Sequence, residues 1–244
     1  MIRMRQVFKK TAENNSKVFE NHLGDLLDKT WEVVTVSSNV IDKCLIIESK
    51  SENGKYIHLL MMSRNLLSDC CCCLDALERG HERTILNNLR MILEDLCCII
   101  EATENEKVYE ALQNGKHQAS ESVSFAKKHY PTLDIGYLYG MLSQVSHHTS
   151  SDLFVRQWTN KDGLVSHIKP FAPNRYQTQL NILLWTTLFA RLIGEVAEKS
   201  HIDALEAPYF WTKQKIRNPS LPINIIVSEI AEKIEKKFER LDAL

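Results

Sequence analysis

The sequence predicts an all-α protein, a single helical domain over residues 1–244, and three observations carry that expectation. Only 8 Gly and 6 Pro are spread over the chain, too few for a turn-rich β fold. Apolar residues recur at three- and four-residue intervals over long stretches, with little of the strict alternation that a half-buried strand requires. A chain of this length removes roughly 70–75% of its unfolded surface from water, so one core can organise it.

The elements follow in order. Val18, Phe19, Leu23, Leu26, Leu27 and Trp31 place a helix over 16–36, and Val40, Ile41, Cys44, Leu45 and Ile47 a second, short one to about residue 48. Ser51-Glu52-Asn53-Gly54 reads as a turn. The best-defined unit comes next: a helix over 55–79 with Ile57, Leu60, Met61, Leu67, Cys71 and Leu74 on one face, ended by Gly80 as a left-handed C′ residue. A helix over 82–102 follows, carrying Ile85, Leu86, Leu89, Leu93, Leu96 and Ile100. So short a connection makes the two antiparallel neighbours. Residues 105–129 form a more polar helix ended by Tyr130-Pro131, and Asp134 caps a helix over 135–148. Residues 149–175, with Asp162-Gly163, Pro170 and Pro173, read as a long loop or small hairpin. The most apolar helix spans 176–200, with Leu180, Leu183, Leu184, Leu188, Leu192 and Val196. A linker with Pro208, Pro219 and Pro222 leads to an amphipathic helix over 224–241, so that 206–244 reads as a C-terminal appendage.

Charge and cysteine usage narrow the partners. A net charge of −1 without a basic stripe argues against a protein held on duplex DNA by many phosphate contacts. The densest basic cluster, Lys213, Lys215 and Arg217, leaves room for a local RNA contact. Seven cysteines, odd in number and set in apolar helical segments, suit buried thiols in a reducing compartment. The N-terminus lacks an apolar h-region, and the longest apolar stretch, 180–190, is too short to span a bilayer. The expectation is a cytoplasmic chain without membrane contact. The run Cys70 to Cys73 points all round its helix, because successive residues are rotated by about 100°. Only Cys70 and Cys73 share a face, and neither a paired CxxC nor a Cys/His set at zinc-finger spacing is present, so no metal site is expected. The sequence also has no glycine-rich phosphate loop, and no cofactor is expected.

Two constellations carry chemistry. Arg64 lies on the stripe of Leu60, Leu67 and Cys71, and Arg90 and Glu94 stand at i, i+4 beside Leu86, Leu93 and Cys97. A buried arginine needs a partner, with Glu94, Asp95 and Asp69 as candidates. The arginines either belong to an ion-pair network that fixes helix register or face a pocket that takes an anion. In the second constellation Gly136, Gly140, Ser143 and His147 fall on one side of a helix whose apolar stripe is Leu138, Met141, Leu142 and Val145. The glycines would let another backbone come close. Ser143 and His147 can share a hydrogen bond, and His147 and His148 suit a helix C-terminus. The alternative makes His147 a general acid/base and His148 a ligand contact.

The Asn88-to-Glu94 segment followed by Tyr139, Leu142, Ser143 and His147 resembles an uncharacterised bacterial family of helical proteins, in which an R-x-x-x-E helix precedes a Y-x-x-L-S-x-x-x-H helix. Its layout is similar to the HEPN (higher eukaryotes and prokaryotes nucleotide-binding) bundles, and the likeness covers about residues 55–150. The resemblance implies an antiparallel helical bundle with additional N- and C-terminal helices. It also implies a partner or a second copy, a setting in antiphage defence or toxin–antitoxin systems, and roles for Arg90, Glu94, Ser143 and His147. Many such proteins are metal-independent ribonucleases marked by Arg, four to six residues, then His; no Arg stands at that distance before His147 or His148. The expected function is therefore a non-catalytic or regulatory bundle that binds a protein partner. The alternative is a ribonuclease in which His147 moves protons and Arg90 or Arg64 stabilises a phosphate.

Overall fold

A computed structural model describes residues 2–51, 56–130, 134–146, 158–159, 165–166 and 176–210. The chain is all-α: α1 (Ile2–Glu48), α2 (Ile57–Glu78), α3 (Glu82–Glu104), α4 (Glu106–Gln113), α5 (Ala119–His129), α6 (Ile135–Ser146) and α7 (Tyr176–Lys199). Two two-residue strands, β1 (Trp158–Thr159) and β2 (Val165–Ser166), pair antiparallel with Trp158 opposite Ser166. They answer to the small hairpin expected between α6 and α7. The helix expected over 224–241 lies outside the described residues.

Helix α1 is one unbroken rod of 47 residues, roughly 70 Å long, where the sequence suggests two helices. The break expected near Ser37-Ser38-Asn39 does not occur, because Ser37 is fully buried where α1 comes closest to α7. A Cβ placed on Gly194 would lie 2.6 Å from Ser37 Oγ, so only glycine permits this approach. One heptad earlier, Thr30 Oγ1 meets Thr187 Oγ1 at 2.8 Å, again at a sequence offset of 157. One heptad later, the Cys44 thiol donates to Ala197 O at 3.6 Å. The two helices therefore advance together, parallel, and α1 is part of the central core rather than an addition to it.

Helix α2 runs antiparallel to α1, with Asn15 Nδ2 donating to Arg79 O at 3.3 Å near one end and Arg64 meeting Asp42 near the other. Its buried face includes Leu60, Ser63, Leu67, Cys70, Leu74 and Leu77, alternating steps of three and four. Gly80 has φ +82°, and the N–H groups of Gly80 and His81 donate to Leu77 O and Ala76 O. This Schellman closure turns the chain straight into α3. Helix α3 packs against α2, α4, α5, α6 and α7, and its buried residues Ile85, Leu89, Ile92, Leu93, Leu96 and Ile99 are among the bulkiest in the core.

The polar helix expected over 105–129 is two helices. Gly115, at φ +64°, ends α4 by the same closure, its N–H donating to Leu112 O and that of Lys116 to Ala111 O. Helix α6 starts from Asp134, held at φ +47°, whose carbonyl accepts from Tyr137 and Leu138 N–H. Among the described residues one segment, Thr178–Lys199, is long and apolar enough to cross a membrane, but 78% of its apolar window is buried inside the protein. It is the core helix of the bundle.

Candidate functional site

Helix α3 places Arg90 and Glu94 one turn apart, and they pair. Arg90 Nε donates to Glu94 Oε1 at 3.1 Å, each side chain 21% exposed. The guanidinium carbon lies 5.7 Å from the centroid of the Tyr139 ring on α6. The R-x-x-x-E helix and the Y-x-x-L-S helix thus meet at these two residues. Their relative direction follows from the chain path. His129, the last residue of α5, approaches Glu104 at the far end of α3, and α6 then brings Tyr139 back to Arg90. Helix α6 therefore runs opposite to α3, and Ser143 lies one turn further toward the N-terminal half of α3, where Asn87 stands. Ser143 Oγ and Asn87 Oδ1 are both buried without a hydrogen-bond partner among the described residues.

The other predicted site residues are placed differently. His147 and His148 lie outside the described residues, as does any bond from Ser143 to His147. Arg64 is not buried: its side chain is 54% exposed and Nη1 meets Asp42 Oδ1 of α1 at 3.1 Å. None of Glu94, Asp95 and Asp69 is the partner in that ion pair. The core position belongs to Ser63 next door, whose hydroxyl donates to Leu59 O at 2.9 Å and so enters the core satisfied, which a guanidinium there would not. Among the described residues the glycines of α6 do not receive another backbone. A Cβ on Gly136 would lie 2.9 Å from the Lys127 side chain, and nothing stands within 4 Å of one on Gly140.

The electrostatics around Arg90 are acidic on one side. Partial burial first, then the charges of Glu94 and Asp69, raise the Asp95 carboxyl above its ordinary range. The cysteines are all free thiols. Burial pushes Cys44, Cys73 and Cys97 up to about 12 and Cys98 to about 11, so these thiols are packing groups rather than nucleophiles. Cys70 is likewise raised well above the ordinary thiol value, again chiefly by burial. Among the described residues no group of three His, Cys, Asp or Glu side chains is disposed to hold a metal ion.

Three polar clusters escape the sequence reading. Arg191 Nε donates to Glu195 Oε1 at 2.6 Å with side chains 9% and 2% exposed, and the guanidinium lies 5.1 Å from the Phe210 ring. It is a second R-x-x-x-E, more buried than the first. Ser122 Oγ, fully buried, sits 2.6 Å from His117 Nε2 and donates to Glu101 Oε2 at 2.6 Å. A serine closed off from solvent between an imidazole and a carboxylate cannot meet a substrate; it ties the connection before α5 to α3. Finally, His201 Nδ1 donates to Ala197 O at 3.0 Å, while Nε2 lies 3.4 Å from Glu48 Oε2, with both side chains buried. Glu48 Oε1 also accepts the Tyr56 N–H at 3.2 Å, joining the ends of α1 and α7 to the start of α2.

The class this defines is an all-α bundle with a charged, half-buried seam between α3 and α6. Comparison of the chain with protein-family models, with curated proteins and with solved structures gives no match in any of the three.

Proposed function

We propose that the chain is a non-catalytic or regulatory helical bundle of HEPN-like layout that binds a protein partner, a co-encoded protein or a second copy, in a bacterial antiphage defence or toxin–antitoxin-type system in the cytoplasm. The α3–α6 seam is its recognition surface. The observation that carries this reading is the state of Arg90. Its guanidinium already holds the Glu94 carboxylate at 3.1 Å and covers the Tyr139 ring. A cation that stabilises a phosphate in RNA cleavage must be open to that phosphate, and a carboxylate in contact repels it. Arg64, the other cation of the ribonuclease reading, pairs with Asp42 across the α1–α2 contact and is no part of this seam. An arginine anchored by an acid and an aromatic ring is instead the kind of residue that dominates protein–protein contacts.

Two measurements on the full chain test this together. Incubation with structured and unstructured RNA in excess chelator is expected to give no cleavage above that of the His147→Asn variant. Titration against the product of the neighbouring gene, and against itself by sedimentation, is expected to show association that Tyr139→Ala weakens about tenfold or more while the melting temperature holds. RNA cleavage by wild type that vanishes in a folded His147→Asn protein would establish the enzyme and sink the proposal.

A further inference from the structure

A groove of about 320 Å³ opens between the last turns of α1 and the segment that follows α7, and none of its lining residues belongs to α3 or α6. Lys43 and Ile46 stand on the α1 wall, and Ala204, Leu205, Glu206 and Ala207 form the other. That second wall is fixed in place at both ends. The N–H groups of Ala204 and Leu205 donate to His201 O, and Glu198 accepts the N–H groups of Tyr209 and Phe210.

Two features make this face complementary to itself. The first is shape. Ile46 is 57% exposed, an aliphatic side chain standing out of the α1 wall, and the facing wall presents the small residues Ala204 and Ala207 beside Leu205. A knob therefore stands next to a hole. The second feature is charge. Lys43 and Glu206, both exposed, are on opposite walls, and among the described residues neither is held in an ion pair. A twofold rotation about an axis normal to the groove exchanges the two walls. It sets each Lys43 against the partner's Glu206 and each Ile46 over the partner's Leu205, so that both contacts are made twice. Any other protein would have to be built to this pattern, whereas a second copy already carries it. We propose that two copies of the chain pair through this groove as an isologous dimer, Ile46 filling the partner's groove and Lys43 meeting the partner's Glu206. A groove of this size supports only a small interface, so the association is weak and concentration-dependent. It uses no residue of the α3–α6 seam, and the two readings stand or fall separately.

Sedimentation equilibrium of the full chain tests this, on wild type and on Tyr139→Ala, which keeps association through the seam out of the measurement. Both are expected to show a monomer–dimer equilibrium. In the Tyr139→Ala chain, Lys43→Glu and Glu206→Lys should each weaken the dimer about tenfold or more, because each sets like charges against one another at both contacts. An equal mixture of those two variants should dimerise as strongly as the parent chain, since the heterodimer again opposes unlike charges twice. Mixing cannot restore a pair that acts within one chain, so this arm isolates the contact between copies. Ile46→Asp should abolish dimerisation. The proposal is overturned if the mixture associates no better than either variant alone, or if Ile46→Asp leaves the dimer unchanged. It is overturned equally if Tyr139→Ala is monomeric at every concentration; a wild type that still dimerises would then assign the pairing to the seam. Should Ile46→Asp lower the melting temperature, the mixture of exposed charge variants decides: restoration supports the groove dimer, and its absence refutes it.

Discussion

The close approach of α1 and α7 makes Gly194→Ala the sharpest perturbation available. The added Cβ would stand 2.6 Å from Ser37 Oγ, 2.8 Å from Ser37 Cβ and 2.8 Å from Phe210 Cε2. Ordinary carbon–carbon contact is about 3.5–4.0 Å, so the helices must part by about 1 Å or the Phe210 ring must move. Neither adjustment is free. Ser37 sits in the middle of a continuous helix, and Phe210 lies against the Arg191 guanidinium. Overpacking of this kind costs about 1–3 kcal/mol, and with two obstacles at one point the upper part of that range applies. Against it stands about 1 kcal/mol gained from alanine over glycine in a helix interior. The net expectation is a loss of about 2 kcal/mol, or roughly 4–8 °C in melting temperature for a domain of this size.

Thermal and urea unfolding of three variants measures it. Ser37→Gly removes both serine obstacles, so the double variant should recover most of the loss suffered by Gly194→Ala alone, giving a clear coupling term. Gly140→Ala, in a helix with nothing within 4 Å of the new Cβ, should instead stabilise by about 0.5–1 kcal/mol. A Gly194→Ala protein that melts at or above wild type would refute the close packing of α1 on α7 and with it the parallel register.

Other outcomes follow from burial. Glu195→Ala should destabilise by roughly 3–5 kcal/mol because it strands a guanidinium that is 9% exposed, whereas Glu94→Ala, whose pair is reached by solvent, should cost about 1–2 kcal/mol; equal shifts in urea midpoint would contradict the difference in burial. A colorimetric thiol reagent should titrate Cys72 quickly and Cys71 in part, with Cys44, Cys70, Cys73, Cys97 and Cys98 appearing only on unfolding; seven fast thiols in native protein would mean that the core is open. For Asp95 the raised carboxyl sets the sign: the unfolded chain ionises first as pH rises past 3.8, so stability is full below that value and declines as pH climbs through the folded value. Asp95→Asn should therefore exceed wild type in urea stability at pH 7 and match it near pH 3, and the reverse order would show a stabilising partner for this carboxylate.

Much of the helix layout is legible in the residues because local signals agree with the tertiary structure. Gly80 ends α2 where a left-handed residue is needed, and the stripe of α3 buries as its spacing predicts; on α7, Leu180, Leu183, Leu192 and Val196 are buried while Leu184 and Leu188 are half-buried and Ile182, Phe189 and Ile193 take core positions beside them. The Asn114-Gly115 pair carries a turn signal strong enough to divide α4 from α5. Errors arise where a tertiary contact overrides local chemistry. Ser37-Ser38-Asn39 is weak helix sequence, yet it stays helical because Ser37 is the small residue that faces Gly194. Arg64 and Ser63 are neighbours, and a stripe read one residue late puts the arginine in the core and the serine outside. The site is less legible still. R-x-x-x-E occurs at Arg90 and at Arg191, and the two strings are equivalent as sequence. Their difference in burial depends on Phe210 folding back over Arg191, a contact no local pattern announces.

The α1–α7 seam also indicates what fixes its register. Thr30 and Thr187 touch across it at 2.8 Å, which suggests a hydrogen bond that specifies the pairing. Each hydroxyl, however, also lies within reach of its own helix: Thr30 Oγ1 stands 2.9 Å from Leu26 O, and Thr187 Oγ1 2.7 Å from Leu183 O. A hydroxyl has one proton, so at most one of the pair can donate across the seam while the other donates to its backbone. If the helices slid apart, both protons would still have acceptors, and little hydrogen-bond energy would oppose the slip. Shape does oppose it. A shift of α7 by one heptad would withdraw Gly194 from Ser37 and bring Thr187 or His201 there, where the present backbone spacing leaves no room even for a methyl group. Register along this seam is therefore set by the single point at which a glycine admits a serine, and the buried hydroxyls tolerate that register rather than impose it.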